Sequence, residues 1–116
     1  MTSDDSATNP PRGKPWTPAE NAAAIEAYFW MLDQDQHRRQ FNKAAKYREL
    51  ESSAIPGRNV KSIERKMQNV SAVLQRHGID WVEGLAPLAN VQTDLVIAVE
   101  EALAARGMID GEEHRQ

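Results

Sequence analysis

Apolar side chains recur at helical spacing in the middle of the chain, over residues 55–74, and this stretch predicts the helix around which the rest is organised. Ile63, Met67, Val70 and Leu74 follow one another at i, i+4, i+7 and i+11. A helix of about 3.6 residues per turn places these four side chains on one stripe. We expect this stripe to face a core.

Turn and capping residues set the predicted ends of this helix. Pro56 and Gly57 form a strong turn signal, and either Asn59 or Ser62 can accept hydrogen bonds from the first amides of the helix. Gly78 is in the position of a C-cap, so the helix is expected to end near residue 77.

A compact start signal predicts an earlier helix. Thr17 is the expected N-cap, Pro18 fits the first helical position, and Glu20 completes a capping box. The helix should run to about residue 33 and be the most buried one. Its apolar positions are Ala23, Ile25, Ala27, Tyr28, Phe29, Trp30, Met31 and Leu32. We interpret these positions, Trp30 included, as core rather than as an aromatic ligand site. The same interpretation applies to Trp16.

A second helix is predicted over about residues 43–52, with Asn42 as its cap. Residues 33–42 before it are polar and fit either a connector or an extension of the first helix, with Phe41 as an anchor to the core. The side chains of this second unit that are expected to pack inward are Ala44, Ala45, Tyr47, Leu50 and Ile55.

The C-terminal part predicts a loop over residues 79–89 and a last helix over about residues 90–105, ending before Gly107. Inward-facing side chains are expected at Trp81, Val82, Leu85 and Leu88 of the loop and at Val91, Leu95, Val99, Ala102 and Leu103 of the helix. Asp94, Glu100 and Glu101 should face solvent. The whole is expected to be one all-α domain, a small bundle of about four helices over residues 16–106, between a disordered tail at 1–15 and a frayed tail at 107–116.

Composition excludes several classes of function. The chain of 116 residues contains no Cys, which removes disulfides, thiolate nucleophiles and Cys-based zinc sites. Its three His residues show no paired ligand spacing, and no triad or phosphate loop is present. We therefore expect neither catalysis, nor a metal, nor a cofactor. No hydrophobic signal segment or membrane span is visible, and a cytoplasmic location is expected.

Charge is unevenly distributed, although the net charge is only -3. Residues 37–77 contain ten cations and three anions, a balance of +7, so the rest of the chain has a balance of -10. Such segregation favours a basic face that orients a polyanion.

The polar side of the 59–77 helix mixes cations with amides, the combination that reading DNA requires. Lys and Arg neutralise phosphates, while Arg, Asn and Gln can pair with base edges in the major groove. An ordinary solvated helix face is the alternative. The candidate DNA-binding residues are Lys43, Lys46, Arg58, Lys61, Ser62, Arg65, Lys66, Gln68 and Asn69. With the preceding helix, this helix is predicted to form a helix-turn-helix that places it in the major groove.

Two motifs together, WTPAE at residues 16–20 and IPGRNVKSIERKMQN at residues 55–69, resemble the Myb/SANT family. The resemblance implies that Trp16 is the first core aromatic and that Arg58 is a cation facing the DNA backbone. It also implies that Lys61, Arg65, Gln68 and Asn69 face the groove. Met67 departs from the family pattern, which usually has an aromatic there.

A more extensive pattern, spread over residues 16–103, resembles the N-terminal module found ahead of bacterial HNH-type restriction endonucleases. Its elements after WTPAE include Tyr28-Phe29-x-Met31-Leu32, Phe41-Asn42-Lys43, Gly84-x-x-Pro87 and Asn90-x-Gln92. This resemblance implies a restriction-associated target-binding module, with the nuclease domain on the same polypeptide or absent. The leading hypothesis is a module that binds double-stranded DNA. The alternative is a SANT-like protein-protein interaction module without nucleic-acid contact, which binds a partner through its acidic last helix.

Overall fold

The structure, a computed structural model, describes residues 14–110 and contains four helices in that range. They are α1 (Pro18–Gln36), α2 (Lys43–Glu51), α3 (Val60–Arg76) and α4 (Thr93–Ala105). No strand occurs between residues 14 and 110. The predicted all-α bundle of four helices is therefore confirmed. The predicted tails lie mostly outside the described residues, and none of the four helices is long and apolar enough to cross a membrane.

Helices α1 and α3 form the centre of the bundle. Each of them packs against the other and against both α2 and α4, whereas α2 and α4 do not contact one another. The predicted stripe of α3 accounts for this position, because Ile63, Met67, Val70 and Leu74 are all fully buried. A stripe of apolar residues is enough to place a helix against a core. Here the stripe places α3 at the centre of the bundle, with its opposite side facing solvent.

The ends of α3 follow the local signals. Of the two candidate caps, Asn59 is the one used, and its Oδ1 accepts from the backbone N–H of Ser62 at 2.8 Å. At the other end Gly78 adopts a positive φ of 69°, the left-handed conformation that favours glycine and ends a helix.

Helix α1 begins as predicted and ends later. The capping box is present, with the Thr17 N–H donating to Glu20 Oε1 at 2.9 Å and the Glu20 N–H donating to Thr17 Oγ1 at 3.1 Å. The helix continues to Gln36, so the first half of the polar stretch is a helix extension. It ends where Arg38 takes a φ of 56°, and a short turn leads to α2.

The loop between α3 and α4 is held to the bundle by the hydroxyl of Tyr28. This oxygen lies 2.8 Å from Ser71 Oγ on α3 and accepts from the Val82 backbone N–H at 3.0 Å. Val82 and Leu85 are fully buried, as predicted. Trp81 and Leu88 were expected to pack inward, and this expectation is wrong, because they are 37% and 38% exposed.

Three further expectations need correction. Trp30 is not a core residue: it is 42% exposed, with its ring edge-to-face with Phe41 at 5.6 Å. Ala44 and Ala45 are exposed, because the short α2 presents only Tyr47 and Leu50 to the core.

Helix α4 begins at Thr93, not at residue 90, because Asn90 has a φ of 65° and breaks the helical path. Its buried stripe is then Leu95, Val99 and Leu103, while Ala102 is partly buried.

Candidate nucleic-acid interface

Two exposed cations stand on the outer side of α3. Lys61 and Arg65 are both exposed and are separated by four residues, so they share one face of the helix, one turn apart. Glu64 is exposed beside them. Because the opposite stripe of α3 is anchored in the core, this face is held rigidly towards solvent.

Arg58, the cation of the Pro-Gly-Arg turn, is buried instead of facing outward. It is 5% exposed, and its Nε and Nη2 donate to the two carboxylate oxygens of Glu20 at 3.1 and 3.0 Å. Its Nη1 and Nη2 also donate to the backbone carbonyls of Lys14 and Pro15 at 3.0 and 2.9 Å. The guanidinium lies over the Trp16 ring, 4.9 Å from its centroid.

This arrangement gives the ion pair a structural role. The hydrogen bond from Arg58 is the main cause that lowers the pKa of the Glu20 carboxyl, against the opposing effect of burial. A bidentate pair of this kind is geometrically specific. It fastens the start of α1 to the turn before α3.

Lys66 is also largely buried. It is 9% exposed, and its Nζ lies 4.7 Å from the centroid of the Trp16 ring. Burial lowers the pKa of this ammonium, and the Asp94 carboxylate opposes the shift. Lys66 makes no ion pair with any residue between 14 and 110.

A cleft of about 650 Å³ lies beside these residues. Its walls come from the segment before α1, the N-terminal half of α3 and the start of α4. Predicted site residues in its lining are Arg58, Lys61, Ser62, Arg65, Lys66 and Asn69. The structure therefore brings six of the nine candidate residues together.

At the C-terminal end of the proposed face, the Asn69 side chain and the Gln68 backbone carbonyl form hydrogen bonds with the loop between α3 and α4. Asn69 Nδ2 donates to the Leu88 carbonyl at 2.8 Å, and the Leu88 N–H donates to the Gln68 carbonyl at 3.1 Å. Both side chains are half-buried. The loop thus runs along α3 at this point and narrows the face that remains open.

The two candidate lysines of α2 lie elsewhere. Lys43 Nζ is 5.3 Å from the Phe41 ring and lines a second depression together with Arg39 and Glu83. Lys46 forms an ion pair with Glu49 at 3.3 Å, and its Nζ lies 4.4 Å from the Trp30 ring centroid. Neither lysine lines the cleft beside α3.

Asn21 is a residue of this region that sequence reasoning missed. It is 3% exposed and lines the cleft, and its Oδ1 has no hydrogen-bond partner among residues 14–110. An Asn in the first turns of a helix gives no signal in the sequence that separates it from an ordinary surface residue. Only the packing of α1 against α3 makes it a buried polar group.

Comparison of the chain with protein-family models, with curated proteins and with solved structures finds no match. Among the described residues, no group of three His, Asp or Glu side chains is arranged to hold a metal ion.

Proposed function

We propose that this chain is a DNA-binding module that sets the N-terminal half of α3 against the major groove of double-stranded DNA. The observation that carries the proposal is the pair of exposed cations Lys61 and Arg65, one turn apart on a helix whose other side is fully buried. A rigidly held helix with cations on its open face is suited to contact phosphates and base edges at the same time.

Exposed positive charge in this part of the chain is a general support for a polyanion partner, and Lys61 and Arg65 are the cations that stand on the outer side of α3 near its N-terminus. Six of the ten cations between residues 37 and 77 are exposed, namely Arg38, Arg39, Arg48, Lys61, Arg65 and Arg76. Half-buried Ser62 and Gln68 flank the two central cations and can add polar contacts. Arg58 is held in its ion pair with Glu20, and Lys66 lies in the cleft, so neither belongs to the proposed outer contacts. Lys43, Lys46 and Asn69 do not belong to them either.

The test is fluorescence anisotropy of a labelled mixed-sequence duplex, titrated with the protein at several salt concentrations. The logarithm of the binding constant falls linearly with the logarithm of the salt concentration. Each phosphate contact that a mutation removes makes this slope shallower by about 1. Lys61→Ala and Arg65→Ala should each weaken binding and reduce the slope by roughly this amount. Arg39→Ala removes the same charge from the turn between α1 and α2 and is the matched control.

The proposal fails if wild-type protein does not bind the duplex at low salt. It also fails if Arg39→Ala weakens binding as much as Arg65→Ala, because net charge, not the α3 face, would then explain the affinity.

The resemblance to modules ahead of HNH-type restriction endonucleases extends the proposal. In this role the chain supplies target recognition for a nuclease domain elsewhere. Competition between methylated and unmethylated duplexes of a selected sequence would test it. Equal affinity for all competitors, whatever their sequence and methylation, would count against target recognition.

A protein-interaction function is the second candidate, and one surface of α4 favours it. Asp94, Ile97 and Glu101 are exposed at i, i+3 and i+7, so a 50% exposed isoleucine lies between two carboxylates on one face. An isolated apolar side chain within an acidic face fits a basic and apolar partner. Pull-down from cell extract with wild-type protein and with Ile97→Arg tests this idea. An identical set of captured proteins in both would remove its support.

A further inference from the structure

The cleft beside α3 contains polar groups that the proposed DNA contacts do not use. Lys66 is a residue with a largely buried stem, whose ammonium lies over the Trp16 ring at the cleft and makes no ion pair between residues 14 and 110. Asn21 is more deeply buried still, and its Oδ1 has no hydrogen-bond partner within the part of the chain that the structure describes. A buried polar atom without a hydrogen-bond partner is costly, and an ammonium without an ion pair can accept a counterion. A ligand that engaged both groups would recover part of this cost.

Charge in the cleft strongly favours an anion. Its lining includes five cationic side chains and one carboxylate, namely Lys14, Arg58, Lys61, Arg65, Lys66 and Asp94. Arg58 is paired with Glu20. The other four cations make no ion pair within the described range, so they exceed the single carboxylate in number.

Three helix N-termini add to this field. Residues at the start of α1, α3 and α4 all contribute to the lining. Each N-terminus carries about half a positive charge from the helix dipole. The N-terminus of α4 also has no side-chain cap, because Gln92 makes no capping hydrogen bond.

We propose that this cleft is a binding site for a phosphate group, with the Lys66 ammonium and the Asn21 carboxamide as its inner contacts. A phosphate monoester has nearly two negative charges at neutral pH and three strong acceptor oxygens, which suits several cations and amides at once. Asn21 can serve as a donor as well as an acceptor, because a half-turn of its carboxamide exchanges Oδ1 and Nδ2.

The size of the cleft indicates that the phosphate belongs to a larger molecule. Its volume of about 650 Å³ lies in the range of about 300–1,000 Å³ that is typical of small-molecule sites. The source is either a free phosphorylated compound or a backbone phosphate of nucleic acid. Both have the same chemistry. Lys61 and Arg65 belong to the cleft lining as well as to the outer face of α3, whereas Lys66 and Asn21 are used only by the phosphate site, so variants of these two residues test that site separately.

NMR titration of the full chain tests the proposal, with the side-chain amide of Asn21 and the indole N–H of Trp16 as reporters inside the cleft. The probes are inorganic phosphate, thymidine 5′-monophosphate and a short duplex, each compared with chloride at equal ionic strength. The variants are Lys66→Met, which keeps the buried stem and removes the charge, and Asn21→Ala. Arg39→Ala is the control for net charge, and thermal unfolding verifies that each variant folds.

Saturable shifts of both reporters with phosphate or with the nucleotide support the site. Lys66→Met should then weaken binding roughly tenfold or more, as expected for the loss of a charge-assisted hydrogen bond, while Arg39→Ala should not. Asn21→Ala should weaken binding as well and gives a second readout if Lys66→Met does not fold. Tighter binding of the nucleotide than of the duplex assigns the phosphate to a free ligand. If only the duplex shifts the reporters, and Lys66→Met abolishes these shifts, the phosphate belongs to the DNA backbone.

Shifts that grow linearly and equally with phosphate and chloride would overturn the proposal, and so would affinities that neither Lys66→Met nor Asn21→Ala changes. The failures of the two proposals are distinguishable. Duplex binding that depends on Arg65 but leaves both cleft reporters unmoved would retain the DNA-binding proposal and reject the phosphate site.

Discussion

Replacing Arg58 with alanine should lower the free energy of unfolding by about 3 kcal/mol. Removal of one partner from a buried ion pair typically costs about 3–5 kcal/mol, because the remaining charge stays buried without compensation. Here the Glu20 side chain remains 17% exposed and retains the hydrogen bond from the Thr17 N–H. Both features reduce the penalty, so the lower end of the range applies.

Urea unfolding followed by circular dichroism measures this loss. With a denaturant slope of about 1–3 kcal/mol/M, the midpoint should fall by about 1–3 M. A domain with about 5–15 kcal/mol of stability would still fold. Arg48→Ala, an exposed change on α2, is the control and should stay within about 0.5 kcal/mol of wild type. A double-mutant cycle with Glu20→Gln isolates the pair.

A cost of less than about 1 kcal/mol for Arg58→Ala, the value of an ordinary surface pair, would refute a structural role for the Arg58–Glu20 pair. The same variant also separates two roles for this residue. A structural Arg58 leaves the salt slope of duplex binding unchanged in the folded variant. A phosphate-contacting Arg58, as the Myb/SANT resemblance implies, would lower the slope by about 1.

Three further predictions concern stability. Tyr28→Phe should cost about 1–3 kcal/mol in urea unfolding, because it leaves the buried Val82 N–H without an acceptor; a loss as small as that of an exposed substitution would contradict the bridging role. Gly78→Ala should cost about 1–2 kcal/mol, since its φ of 69° is strained for alanine although no atom lies within 4 Å of the added carbon; unchanged thermal unfolding would refute this. Glu20 has a pKa lowered mainly by the hydrogen bond from Arg58, so its stabilisation is complete above the unfolded pKa of about 4.3 and is lost as pH falls through the folded value. The stability difference between wild type and Glu20→Gln should therefore stay constant above about pH 4.3 and shrink only below it; a difference that changes between pH 5 and 8 would contradict the assignment.

Local signals in the sequence predicted the fold well where they act within one or two turns of chain. The capping box of α1, the caps at Asn42 and Asn59 and the stop at Gly78 depend on a few neighbouring residues, and all are present. The apolar stripe of α3 was equally reliable, because its period alone determines which side is buried.

Errors arose where burial depends on contacts across the chain. Trp30 and Trp81 are large and apolar, yet the rest of the bundle covers them only in part, and they stay at the surface. The pattern of hydrophobic residues gives a helix its buried side but does not show which of its aromatic rings another element will cover.

The candidate site was only partly predictable for the same reason. Composition identified Lys61, Arg65 and Lys66 as cations on one helix, and the stripe of α3 correctly indicated that Lys61 and Arg65 face outward. The burial of Lys66 depends on Trp16, which lies fifty residues earlier in the chain. The pairing of Arg58 with Glu20 likewise joins residues that only the packed bundle brings together.

The Tyr28 hydroxyl also has a consequence for the order of assembly. The loop between α3 and α4 has no regular secondary structure, and its Val82 amide bonds to an oxygen 54 residues earlier in the chain. That oxygen is in place only after α1 has docked on Ser71 of α3. The loop should therefore become ordered late, once the two central helices are together, and afterwards open only with them. The loop forms no helix or strand, yet its Val82 amide should exchange its hydrogen with solvent as slowly as the amides of the core helices.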